Sequence, residues 1–193
     1  MAKIVGGFAS SHSPLMSLTG ELWAVHAQND LRNSELVRPP DGELVSYEEL
    51  LATADPGIAE LANVETFTGR VENIQQGLNN LQNRFEAVNP DIVVMFGDDQ
   101  SEFFFDDNMP SINVYWGDSI KVLPRTISPD MSEARKMSAL AYGTKEYEHP
   151  VPSDLGLHVI ESLMDQDFDV AHSRYLKDEY GGSIGPSSWY LQR

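Results

Sequence analysis

Apolar and polar positions alternate along the chain with two different periods. Val71, Ile74, Leu78, Leu81, Phe85 and Val88 are separated by three and four residues in turn, which is one stripe of an amphipathic helix. Asn89-Pro90 stops it, because proline cannot donate the next helical hydrogen bond. Residues 91–97, Asp-Ile-Val-Val-Met-Phe-Gly, follow at once as a continuous apolar run. Such a run predicts a strand buried on both faces of a parallel sheet. Residues 3–9 read the same way and lead into a polar loop, Ser10-Ser11-His12-Ser13, closed by Pro14.

The remaining pattern predicts a helix over 18–30 with Leu22 and Trp23 turned inward, and a loop at Arg38-Pro39-Pro40-Asp41-Gly42. Ser46 with Glu49 three residues on is the signature of a capping box opening a short helix. Residues 111–116 predict a strand. Ser153 is expected to cap a helix running to about Gln166, with Leu155, Val159 and Leu163 on one side, and residues 168–173 predict the next strand. No internal repeat, low-complexity tract or linker interrupts the chain, so residues 1–193 read as a single domain.

Helices alternating with apolar strands predict an α/β fold, with a mostly parallel central sheet and helices on both faces. In such sheets ligands bind beyond the carboxyl ends of the strands. Two polar clusters fall at predicted strand ends: Ser10-Ser11-His12-Ser13 and Asp98-Asp99-Gln100-Ser101-Glu102. His172-Ser173-Arg174 is a third, weaker one.

Composition narrows the function classes. The 193 residues include 30 acidic and 13 basic side chains, a formal charge of -17. A surface of that sign repels phosphate backbones, which argues against nucleic acid as a partner and is otherwise read as a device for solubility. The chain has no cysteine, so disulfides and thiolate metal sites are excluded. No apolar run approaches twenty residues, and the N-terminus lacks the pattern of a secretory leader, so the expected compartment is the cytoplasm.

His12 follows a predicted buried strand, where an imidazole serves either as a metal ligand or as a hydrogen-bonded loop residue. Asp98, Asp99 and Glu102 repel one another unless a cation or donors lie among them; the other reading is a solvated acidic turn. Together, one imidazole and several carboxylates match the ligands that ferrous iron accepts. His172, at a strand end, is a candidate for facing the same site. Phe103-Phe104-Phe105 either lines an aromatic pocket or packs a loop. His26, His149 and His158 read as surface or structural residues, and Trp23, Trp116 and Trp189 as core.

Residues 4–14, Ile-Val-Gly-Gly-Phe-Ala-Ser-Ser-His-Ser-Pro, resemble the N-terminal iron-ligand motif of the class III extradiol ring-cleaving dioxygenases, whose first strand ends in Ser-His-x-Pro. Residues 90–100 resemble the strand that delivers the family's second ligand, and Asn108-Met109-Pro110 and residues 153–160 follow the family in order and spacing. The resemblance implies a non-haem Fe(2+) enzyme that opens a catechol- or gallate-type ring with dioxygen, working as a homo- or hetero-oligomer. It implies metal ligands at His12 and at Asp99 or Gln100; Glu102 of the same acidic cluster is a further candidate ligand, and His172, from its place at a strand end, is the candidate catalytic residue.

The sequence departs from the family in three places. The second ligand is usually a histidine, and the matching position here falls on Asp99 or Gln100. No histidine occupies the stretch 180–186, where the family has one that assists catalysis. The family's third ligand, a glutamate, and an acid/base histidine come from a C-terminal half that lies beyond Arg193, so the sequence reads as shortened relative to the family. These departures support a second reading, a non-catalytic dioxygenase-like subunit or degenerate paralogue that binds a partner subunit or a phenolic ligand.

Overall fold

The computed structural model describes residues 2–11, 13–97, 103–140 and 145–175. The chain divides into two compact units: residues 1–6, 85–126 and 139–193 form one, and residues 7–84 and 127–138 the other.

The second unit is mainly helical. Helix α1 (Gly20–Ala27) starts at Thr19, whose hydroxyl accepts from the Leu22 N–H. A hairpin follows, β1 (Leu36–Arg38) against β2 (Glu43–Val45), antiparallel with Leu36 opposite Val45. Arg38 braces the turn by pairing with Asp41 at 2.9 Å and with Glu43. Helix α2 (Tyr47–Thr53) opens with the capping box read from the sequence: Ser46 Oγ accepts from the Glu49 N–H and Glu49 Oε2 accepts from the Ser46 N–H at 2.8 Å. Helix α3 (Pro56–Leu61) is short, and α4 (Val64–Val88) is the longest element of the chain.

The stripe predicted for α4 is the side that turns inward. Leu78 is buried, and Val71, Ile74, Leu81, Phe85 and Val88 are half-buried, while most positions between them are exposed. Asn89, in the left-handed region with φ 45°, and Pro90 end the helix. Trp23 of α1 meets Phe67 of α4 with ring centroids 5.8 Å apart, and its indole N–H donates to the Leu15 carbonyl at 2.8 Å. Gln75 reaches across to the Met16 carbonyl at 2.7 Å. Gly20 permits this approach, because a Cβ there would overlap Thr68 Oγ1 and lie 2.6 Å from the Thr68 backbone nitrogen. Leu18, Val45 and Leu78 are its fully covered apolar side chains among the described residues.

The first unit holds two strand pairs and a helix. Strand β3 (Asn113–Tyr115) pairs with a later strand, β6 (Ala171–Ser173), in parallel, with Val114 opposite His172. Between them lie β4 (Ser119–Val122) and β5 (Tyr147–Pro150), antiparallel to each other, and α6 (Ser153–Met164), which packs on β3. Helix α5 (Glu133–Leu140) precedes β5 in the chain, and its residues 133–138 belong to the second unit. Val122, Ala139 and Ile160 are the buried apolar side chains here among the described residues.

The chain therefore combines helices with small sheets, and β3–β6 supplies the expected parallel pairing across a helix. The described residues form three two-stranded sheets and not one central sheet. Residues 3–9 and 91–97, expected as buried strands, are assigned to no strand, and Ile4 and Phe96 are 92% and 90% exposed. An apolar run identifies a segment suited to a strand, but only a laterally paired neighbour makes it one. Two details of α6 also differ from expectation. Ser153 does not cap it: Pro152 holds the cap position, and Ser153 Oγ donates to the Gly117 carbonyl. The buried residue of α6 is Ile160, outside the predicted side, while Val159 is exposed. No helix among the described residues is long and apolar enough to cross a membrane.

Candidate functional site

The parallel pair β3–β6 ends in a cluster of polar and aromatic side chains. Strand alternation sorts them onto two faces. Asn113 and Tyr115 of β3 share one face with Ala171 and Ser173 of β6, as the hydrogen bond from Asn113 Nδ2 to Ser173 Oγ at 3.1 Å requires. Val114, Trp116, His172 and Arg174 fall on the other, Trp116 continuing the pairing through its N–H to the Ser173 carbonyl at 3.0 Å.

Three side chains of that second face touch. The Trp116 indole N–H donates to His172 Nδ1 at 3.1 Å, the two rings lying edge to face with centroids 5.9 Å apart. The Arg174 guanidinium lies over the indole, 4.7 Å from its centroid, a cation–π arrangement. Asp118 Oδ1 is 4.0 Å from Arg174 Nη2 and shares the one Ser153 hydroxyl proton with the Gly117 carbonyl, at 3.0 and 2.9 Å.

The turn that presents Trp116 is tightly held. Gly117 cannot carry a side chain, since a Cβ would overlap the Tyr115 phenol and lie 2.7 Å from the Arg174 carbonyl. The Tyr115 hydroxyl donates to the Ser119 carbonyl at 2.7 Å. Burial, and secondarily the charge of Asp118, hold its phenol above the usual tyrosine range, so it stays neutral through the physiological range.

The indole bond fixes the chemistry of His172. An indole nitrogen only donates, so Nδ1 must carry the lone pair, and in the neutral ring the proton is on Nε2. A metal-ligating histidine has the reverse arrangement, with its second nitrogen donating to an acceptor. In this geometry His172 is a hydrogen-bond donor through Nε2 and not a metal ligand.

The predicted metal ligands His12, Asp99, Gln100 and Glu102, with Asp98, lie outside the described residues. Among the described residues no group of three or more His, Asp or Glu side chains is arranged to hold a metal ion. No protein-family model, curated protein or solved structure matches the chain.

The other histidines are placed elsewhere. His26 ends α1 beside Asn29 Nδ2 at 3.2 Å, and His158 is exposed on α6. His149 is in β5 and stacks on Tyr147 with ring centroids 6.3 Å apart. Trp116, expected in the core, is instead a half-buried member of the strand-end cluster. What places it there is the register of the parallel pair, which sets the residue following β3 beside the polar positions ending β6.

Proposed function

We propose that the chain is a non-haem iron extradiol dioxygenase of the cytoplasm, opening a catechol- or gallate-type ring with dioxygen. The observation that carries the reading is the element at residues 4–14, in which an imidazole between serines follows an apolar run and precedes proline. The parallel pair β3–β6, with α6 packed on β3, supports it as the part of a mostly parallel sheet on which such a site would be built.

His12, Asp99 and Glu102, with Gln100 as a further oxygen donor, would hold Fe(2+). One imidazole with oxygen donors is a set that ferrous iron accepts, although a carboxylate or amide in place of the second imidazole makes it harder. Relaxed selectivity, with Mn(II) and Mg(II) competing, is the expected consequence. When bound, the iron supplies the redox chemistry and brings the diol and dioxygen together. His172 would offer Nε2–H to a substrate oxygen and orient it, with Trp116 holding the ring in that tautomer.

A second reading, a non-catalytic subunit that keeps the binding surface, is favoured by Asp99 and Gln100 standing where the family has a histidine. One experiment separates the two. Protein loaded with Fe(II) without oxygen is given catechols and gallates, and metal content and oxygen uptake are measured. The dioxygenase reading expects stoichiometric uptake with a ring-opened product, and His12→Ala is expected to lose the metal with little change in stability. Bound metal without uptake selects the non-catalytic reading. Unchanged metal content in His12→Ala, with a large loss of stability, makes His12 a structural residue.

A further inference from the structure

The face of β3–β6 that carries Trp116, His172 and Arg174 presents two donors: the outward nitrogen of His172, which meets no acceptor among the described residues, and the Arg174 guanidinium, whose ion pair with Asp118 is long at 4.0 Å. His172 lies in β6 and Arg174 directly follows its last residue, two positions on, and both side chains meet the Trp116 ring. Both are exposed at the strand end. The indole bond commits His172 Nδ1 as an acceptor and leaves Nε2–H as its outward donor. Arg174 is held over the indole and brings a planar fork of N–H donors, with Asp118 at 4.0 Å, the limit of an ion pair. A rigid turn sets the spacing, because Gly117 is packed against both Tyr115 and the Arg174 carbonyl.

We propose that this strand end binds a small carboxylate, held by the Arg174 guanidinium and the His172 Nε2–H beside the Trp116 ring. A carboxylate offers two coplanar oxygens, which suit the guanidinium fork, and a charged acceptor strengthens a donor such as Nε2–H. The net charge of -17 would repel an anion approaching most of the surface, so a fixed guanidinium backed by a neutral donor marks a local exception. Asp118 competes for the same cation from a side chain that is itself 85% exposed. The site uses no metal ligand; it shares the His172 Nε2–H donor with the substrate contact proposed above, and a metal-free titration reads it without turnover.

The test is a titration of the full chain, without added metal, with sodium acetate against sodium chloride at matched low ionic strength, where screening is least. Proton–nitrogen NMR reads the Trp116 indole N–H, assigned by its disappearance in Trp116→Phe, and the His172 ring. Acetate is expected to shift both signals and chloride neither. Arg174→Gln is expected to weaken acetate binding on the order of tenfold. Arg174→Lys, which keeps the charge and loses the fork, is expected to weaken it by several-fold, and stands in if the glutamine variant does not fold. Asp118→Asn keeps an acceptor for Ser153 and removes the competing charge, so about threefold tighter binding is expected. Chloride matching acetate, unchanged affinity in both Arg174 variants, or equal or weaker binding in Asp118→Asn would each overturn the proposal.

Discussion

In α4, Leu78 is 4% exposed and the other members of its stripe are half-buried; in residues 91–97, just beyond the proline that ends α4, Val94 is 69% exposed. Residues 91–97 are the more apolar of the two segments, and they are the less covered. The difference lies in where each finds its hydrogen bonds. A helix satisfies its interior N–H and carbonyl groups within itself, so a stripe along one side is enough to orient it. A strand must borrow its hydrogen bonds from a neighbour, and apolarity alone does not supply one. Residues 113–115 and 171–173 show the contrast, because each finds the other in register and becomes a strand.

The largest effect that follows is in α4. Leu78→Ala removes a buried side chain from a unit with few of them and is expected to lower stability by about 3 kcal/mol, the middle of the range for such truncations. Denaturant unfolding measures this. A loss below about 1 kcal/mol, ordinary for an exposed residue, would break the comparison by making the stripe no better covered than the run after it.

A smaller effect tests whether the helical regions are self-sufficient at their ends as well. In α2, Ser46 and Glu49 satisfy backbone donors that the helix cannot, and both contacts are local. Ser46→Ala is expected to lose about 1 kcal/mol. The Ser46 contacts hold the Glu49 carboxyl below the usual glutamate range. A depressed carboxyl pKa contributes stability at neutral pH that disappears as the pH falls through the folded-state value. The Ser46→Ala penalty should therefore shrink in acid. An identical penalty at acid and neutral pH would separate the serine from the carboxylate.

What the sequence made legible follows the same division. The α4 stripe, its Asn89-Pro90 stop and the Ser46 box are short-range patterns, and each appears where the spacing put it. Strands β3 and β6 were legible as apolar segments, although their parallel register was not, because register depends on two stretches almost sixty residues apart in sequence. The same holds for the site. His172 was visible as a histidine at a strand end, whereas the indole that fixes its tautomer comes from the other strand and read as core. Ser153 looked like a cap because its position in the sequence fits one, yet its hydroxyl turns to the Gly117 carbonyl and Asp118, partners that local spacing cannot reveal. On α6 the side expected through Leu155, Val159 and Leu163 is only partly the covered one: Leu155 and Leu163 are half-buried, Val159 is exposed and Ile160 is the buried residue.

The smallest expected effect discriminates best between the two descriptions of residues 91–97. Valine to aspartate puts a charge where the sequence pattern puts the centre of a doubly buried strand. In that environment the charge would be desolvated without a partner, one of the few changes that cost a small domain most of its stability. At the exposure found for Val94 the carboxylate keeps its water, and Val94→Asp is expected to change stability by less than about 0.5 kcal/mol. Urea unfolding of the purified chain reads the difference, and Leu78→Ala in the same buffer supplies the scale of a covered residue. A near-neutral result fixes the run as apolar surface and makes strand pairing, more than hydrophobicity, the limiting ingredient of this fold. A loss as large as that of Leu78→Ala would instead mean that the run is covered in solution, and that the three two-stranded sheets are parts of a larger one.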